Sequence, residues 1–136
     1  MANKQVGGDH YQCSYQHWDL VDQHGIPFLE GTASKYLLRY RKKNGLEDLQ
    51  KSLDYITKIE LELHGHGRTR LHRSAKYPFR KPEHFDVDFA FYLRENRVDD
   101  ESDQATAIYM LLTWTIPQHL ELARDLIKRM IGTFIL

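Results

Sequence analysis

Apolar residues recur at helical spacing through most of this chain. Leu29, Ala33, Tyr36, Leu37 and Tyr40 follow steps of 4, 3, 1 and 3, which places them on one face and predicts a helix over Phe28–Lys43. Asn44-Gly45 ends it, and Leu46, Leu49, Leu53, Ile56, Ile59 and Leu63 continue on a second helical face. A break this short predicts a helical hairpin. Upstream, Trp18, Leu20 and Val21 precede Gly25 and Pro27, the signature of a short helix stopped at a glycine and restarted beyond the proline. Met1–Tyr15 has no period and carries Gly7-Gly8, so it reads as an extended entry segment. His64–Pro82 has glycines, prolines and scattered basic residues without an apolar face, and reads as a linker or arm. Phe85, Val87, Phe89 and Phe91 alternate as in a strand, whereas Phe85, Phe89 and Tyr92 fit a helix, and helix is favoured. Asp99-Asp100-Glu101 marks a helix start before Ala107, Met110, Leu111 and Trp114, and Pro117 suits the first turn of a last helix through Ile131.

The two halves resemble each other. Thr32-Ala33-x-x-Tyr36-Leu37-Leu38-x-Tyr40 aligns with Thr106-Ala107-x-x-Met110-Leu111-Leu112-x-Trp114, and Leu49, Asp54, Ile56 and Lys58 align with Leu120, Asp125, Ile127 and Arg129. The expected fold is therefore mostly α, two hairpins from an internal duplication packed as a helical bundle, preceded by the extended N-terminal segment. Three regions follow: a first hairpin over 1–64, a basic linker or arm over 65–82, and a second hairpin over 83–136. Apolar positions are kept in both halves, but basic ones are not. Lys35 aligns with Tyr109, Arg39 with Thr113, and the Arg41-Lys42-Lys43 turn has no counterpart. The chemistry is expected in the first hairpin.

Composition narrows the class. With 136 residues, 41% of them hydrophobic and no net charge, the chain is neither disordered nor membrane-spanning by composition. Cys13 is the single cysteine, which excludes an intrachain disulfide, and with no apolar leader the expected location is the cytoplasm. Neutrality conceals blocks of charge. Six basic residues between Lys35 and Lys51 oppose only Glu47 and Asp48; six more between His64 and Lys81 meet no acid; from Pro82 to Asp103 eight acids face only Arg94 and Arg97.

Lys35, Arg39 and Lys42 stand at i, i+4 and i+7, a row of like charges that repel unless an anion neutralises them. Lys43 in the turn and Lys51 on the next helix converge on the same region. Phosphate suits them, Arg as a bidentate fork and Lys as a point charge. On this reading a Lys35→Ala, Arg39→Ala double variant loses nucleotide affinity while its thermal midpoint barely moves. The plainer reading is a solvated face paired with Glu47, Asp48 or the acidic block. No GxxxxGK[ST] or GxGxxG is present, so a P-loop enzyme is excluded. Glu30, Glu47, Asp48 and Asp54 do not form the paired acidic repeats of a magnesium-dependent all-α pyrophosphatase, and no metal site is assigned. His64, His66 and His72 read as a solvated linker, while His10 and His17 are candidate acid or base groups. Rings of Tyr11, Trp18, Tyr36, Tyr40 and Tyr55 are either core or stacking surfaces for a base. Arg68–Lys81, with Tyr77 and Phe79 interleaved, could contact RNA or DNA.

Gly8-Asp9-His10-Tyr11, Phe28-Leu29-Glu30-Gly31, Lys35-Tyr36-Leu37-x-Arg39, Lys42-Lys43 and Glu47-Asp48-Leu49-x-Lys51 with Tyr55 together resemble the SaV-like, or phage nucleotide kinase, family over about residues 7–64. The resemblance implies a phage-encoded, oligomeric nucleotide-binding protein with His10, Tyr11, Lys35, Arg39 and Lys43 near the phosphates. The resemblance further implies the host-cell cytoplasm as its location if it is phage-encoded, and ATP as the phosphate donor if it is a nucleoside monophosphate kinase. The assigned site is Lys35, Arg39, Lys42, Lys43 and Lys51 for phosphate, with His10, Tyr11 and Tyr36 as further ligand contacts. Two other readings stand beside the kinase: a non-catalytic oligomeric sponge that sequesters a nucleotide immune signal, and a nucleic-acid-binding accessory protein.

Overall fold

The computed structural model describes residues 13–63 and 84–135. These form six α-helices and, among the described residues, no strand: α1 (His17–Gln23), α2 (Phe28–Arg39), α3 (Leu46–Leu63), α4 (Phe85–Glu95), α5 (Asp103–Thr113) and α6 (Pro117–Phe134). The ambiguous segment after His84 is helical because Phe85, Phe89, Tyr92 and Leu93 gather on one buried side. The expected entry segment before Cys13 and the 65–82 arm lie outside the described residues, as do His10, Tyr11, His64, His66 and His72.

Local chemistry sets the helix ends. Gly25 (φ +61°) reverses the chain after α1, where Ile26 N–H donates to the Val21 carbonyl at 3.0 Å, and Pro27 then caps α2. The last turn of the expected Phe28–Lys43 helix is absent. α2 stops at Arg39, and Gly45 (φ +52°) donates its N–H to the Tyr40 carbonyl at 2.8 Å, closing a turn that holds Arg41, Lys42 and Lys43. The acidic triplet Asp99–Glu101 precedes α5 and lies outside it. Ser102 is the cap, its Oγ accepting from Ala105 N–H at 3.1 Å. Pro117 occupies the first turn of α6, where its missing N–H costs nothing.

α2 packs along α3 and α5 along α6, while α2 also packs on α5 and α3 on α6, so the two hairpins share one helical core. The positions matched by the sequence repeat, Ala33 with Ala107, Leu37 with Leu111, Leu49 with Leu120 and Ile56 with Ile127, are all fully buried. Buried polar groups follow the same pattern. At the start of α2, Glu30 accepts the Trp114 indole N–H at 2.9 Å from the end of α5; at the matching position on α5, Gln104 donates to the Leu37 carbonyl at 2.8 Å near the end of α2. α2 and α5 are thus antiparallel and latched at both ends. Outside this bundle, α1 and α4 pack on each other, joined by His24 to Asp88 at 2.8 Å and by the Asn96 amide to the Tyr15 carbonyl at 2.9 Å.

Candidate functional site

The outer face of the α2–α3 hairpin gathers cations around two tyrosines. Lys35 and Arg39 flank Tyr36 on α2, and Lys51, Tyr55 and Lys58 follow at i, i+4 and i+7 on α3. Lys35 Nζ lies 4.7 Å, Arg39 Cζ 4.8 Å and Lys51 Nζ 5.4 Å from the centroid of the Tyr36 ring. The Tyr55 ring is 6.0 Å from that of Tyr36, and Lys58 Nζ stands 4.4 Å above it. The negative face of each ring offsets part of the repulsion among the cations. Lys58 was not among the expected site residues, although its spacing of three from Tyr55 was visible in the sequence.

Individual members of the expected row have different tasks. Arg39 faces inward: its Nε and Nη2 reach Asp48 Oδ2 and Oδ1 at 3.3 and 3.5 Å, and Asp48 is completely buried. A carboxylate of the chain itself therefore serves as its anion, and the guanidinium closes the hairpin. The expected Lys35→Ala, Arg39→Ala double variant thus removes one partner of an ion pair to a buried acid as well as a surface cation. Lys51 pairs with Glu47 at 3.3 Å across one turn of α3, both side chains being well exposed, so the pair contributes little and is readily exchanged. Lys42 is off the stripe. It sits beyond the end of α2, exposed in the turn beside Lys43, so the i, i+4, i+7 row is reduced to its first two members. Lys35, Tyr36, Arg39 and Lys51 are brought together; Lys42 and Lys43 project from the adjoining turn.

His17, a candidate acid or base from the sequence, is a strut. Its Nε2 must carry the proton, because it lies 2.8 Å from the Gly31 carbonyl, which only accepts; Nδ1 then accepts the Tyr92 hydroxyl at 2.9 Å. Burial pushes the imidazole down to about 4, the Gly31 bond opposes that shift, and the nearby Lys35 charge adds to it. Burial also raises Tyr15 to about 12 and Tyr92 further still. The Cys13 thiol, bonded to the Tyr15 carbonyl and Asn96, is likewise pushed up, chiefly by burial.

Three acids of the hairpin are occupied: Glu30 with Trp114, Asp48 with Arg39 and Glu47 with Lys51. Among the described residues, no group of three or more His, Cys, Asp or Glu side chains is placed to hold a metal ion. A separate cleft of about 300 Å³ opens where the ends of α2 and α6 meet the start of α5, lined by Tyr40, Arg41, Gln104, Met130 and Phe134 among others. Among the described residues no helix is long and apolar enough to cross a membrane. No protein-family model, curated protein or solved structure matches this chain.

Proposed function

We propose that the chain binds a phosphorylated nucleotide on the α2–α3 face, with Lys35 and Lys51 supplying the principal charge and the exposed Lys42 and Lys43 reaching in from the turn. The observation that carries this reading is the convergence of ammonium groups from two different helices on the single ring of Tyr36, at 4.7 and 5.4 Å. Ammonium groups placed so closely offer several contacts at once to an anion with several oxygens. Arg39, held by Asp48, fixes the relative placement of the two helices that carry these lysines. Tyr36 and Tyr55 hold the lysine stems against the helices, which lowers the entropy lost when phosphate binds. The motif through Lys35-Tyr36-Leu37-x-Arg39 and Glu47-Asp48-Leu49-x-Lys51, with its likeness to the phage nucleotide kinase family, supports the same face.

That likeness also favours a second reading, phosphoryl transfer from ATP to a deoxynucleoside monophosphate, in which these cations stabilise charge on the transferring group. One experiment separates transfer from sequestration of a nucleotide signal. The protein is incubated with ATP and each deoxynucleoside monophosphate and the mixture chromatographed, and nucleotide released from heat-denatured complex is identified by mass. Diphosphate product establishes transfer; recovery of unaltered nucleotide establishes a sponge. No retained nucleotide and no product, at any base, contradicts the binding reading itself. Nucleic acid as partner rests on Arg68–Lys81, outside the described residues, and predicts steeply salt-dependent oligonucleotide affinity.

A further inference from the structure

Opposite the buried side of α4, which carries Phe85, Phe89, Tyr92 and Leu93, lies an outward stripe of Val87, Ala90, Phe91 and Arg94 at i, i+3, i+4 and i+7. Val87 is 71% and Phe91 38% exposed, and Arg94 extends over the Phe91 ring at 5.3 Å. Charge along the stripe is polar in direction. Acids stand at its start, Asp86 fixed by the Tyr109 hydroxyl at 2.8 Å and Asp88 by His24 at 2.8 Å, while Arg94 stands at its end.

We propose that this face seats the same face of a second copy of the chain, antiparallel about a two-fold axis near Ala90. Asp86 and Arg94 lie equally far from Ala90 on either side, so the two-fold operation brings each Asp86 opposite the Arg94 of the other copy. Ala90 meets Ala90, and the absence of bulk there allows the helices to approach closely. Val87 and Phe91 of each copy then cover one another. Self-complementarity of this kind singles out a second copy over an unrelated partner: one surface supplies both signs in the order that antiparallel pairing requires. One helix face buries less than the roughly 800 Å² per partner of a standard interface, so the dimer forms at micromolar or higher concentration. The stripe lies on the second half of the chain, apart from the α2–α3 face, and stands or falls independently of nucleotide binding.

Sedimentation velocity of the full chain from ~10 to ~500 µM tests it. The mass-average is expected to rise from monomer to dimer. Arg94→Asp and Asp86→Arg each place like charges across the axis, and each is expected to weaken association at least about tenfold. Mixing the two variants restores complementarity at both contacts and should return the dimer. Val87→Glu, at a side chain 71% exposed, should also abolish it, and Tyr109→Phe, which removes one hydrogen bond to Asp86 without altering its charge, should leave it in place. A wild type that stays monomeric overturns the proposal. So does either charge reversal associating as the wild type does, a mixture of folded variants that fails to recover the dimer, Val87→Glu dimerising normally, or loss of the dimer in Tyr109→Phe.

Discussion

Asp48 lies at the base of α3, wholly buried, and Arg39 at the end of α2 reaches it with two nitrogens at 3.3 and 3.5 Å while the Asn44 N–H donates to the same carboxylate at 3.3 Å. These bonds compensate the desolvation of the acid and fix the angle of the hairpin. Removing one partner leaves a buried charge without its counter-ion. Arg39→Ala is therefore expected to lower stability by about 2–3 kcal/mol, less than a deeper pair would lose because Arg39 is partly wet. Asp48→Asn should cost less, since it removes charge and retains shape. Urea denaturation checks both, and an Arg39→Ala protein as stable as the wild type would return that side chain to the ligand.

The Trp114 indole donates to Glu30 inside the core, at 2.9 Å, with both residues almost entirely buried. Trp114→Phe keeps most of the apolar bulk but withdraws a donor from a buried acid. A loss of about 2–3 kcal/mol is expected, most of it from the acid left short of a partner. Combining Trp114→Phe with Glu30→Leu should recover part of that loss in thermal denaturation; additive losses would show that the two groups are not coupled.

His17 predicts a pH dependence of known sign. Its folded value of about 4 lies below the ordinary 6.5, so the unfolded chain binds more protons between those values. Stability from this group is complete above pH 6.5 and falls as the pH drops toward 4, by about 3 kcal/mol in all. His17→Gln should flatten that part of the stability profile. Because the Lys35 charge lowers the His17 value, Lys35→Ala should raise it, a change visible in the imidazole NMR titration.

Gly45 combines two constraints. Its φ is +52°, and a Cβ there would lie 2.8 Å from Cζ of Phe134. Gly45→Ala should cost about 1–2 kcal/mol from backbone strain together with displacement of that ring. Adding Phe134→Ala should remove the steric share and leave the backbone share. If the double variant shows no relief in denaturant titrations, the contact is too soft to matter.

Periodicity made the bundle legible because packing repeats: Leu37 and Leu111, or Ile56 and Ile127, satisfy the same spacing and fill the same kind of core position. Pro117 and Gly25 marked ends through backbone chemistry that acts locally. The end of α2 was not legible. Tyr40 through Lys43 continue a helical pattern, and only the turn closed by Gly45 and the reach of Asp48 to Asn44 stop it. Convergence of Lys35, Tyr36 and Lys51 followed from assuming a hairpin, whereas the inward turn of Arg39 did not, because a charge at a helix surface gives no sign of which carboxylate lies beside it. Glu30 was legible as an acid but not as a core residue, since its partner Trp114 lies in the other half of the chain.

The central claim, that the lysines beside Tyr36 hold nucleotide phosphate, is tested most directly by calorimetric titration with deoxynucleoside mono-, di- and triphosphates. Wild type is compared with a Lys35→Ala, Lys51→Ala double variant. Neither lysine is in the core, so the variant should keep its unfolding free energy to within about 1 kcal/mol and lose at least about tenfold in affinity, the worth of a charge-assisted phosphate contact or more. Unchanged affinity in a folded double variant would contradict the account and leave this cluster as solvated surface.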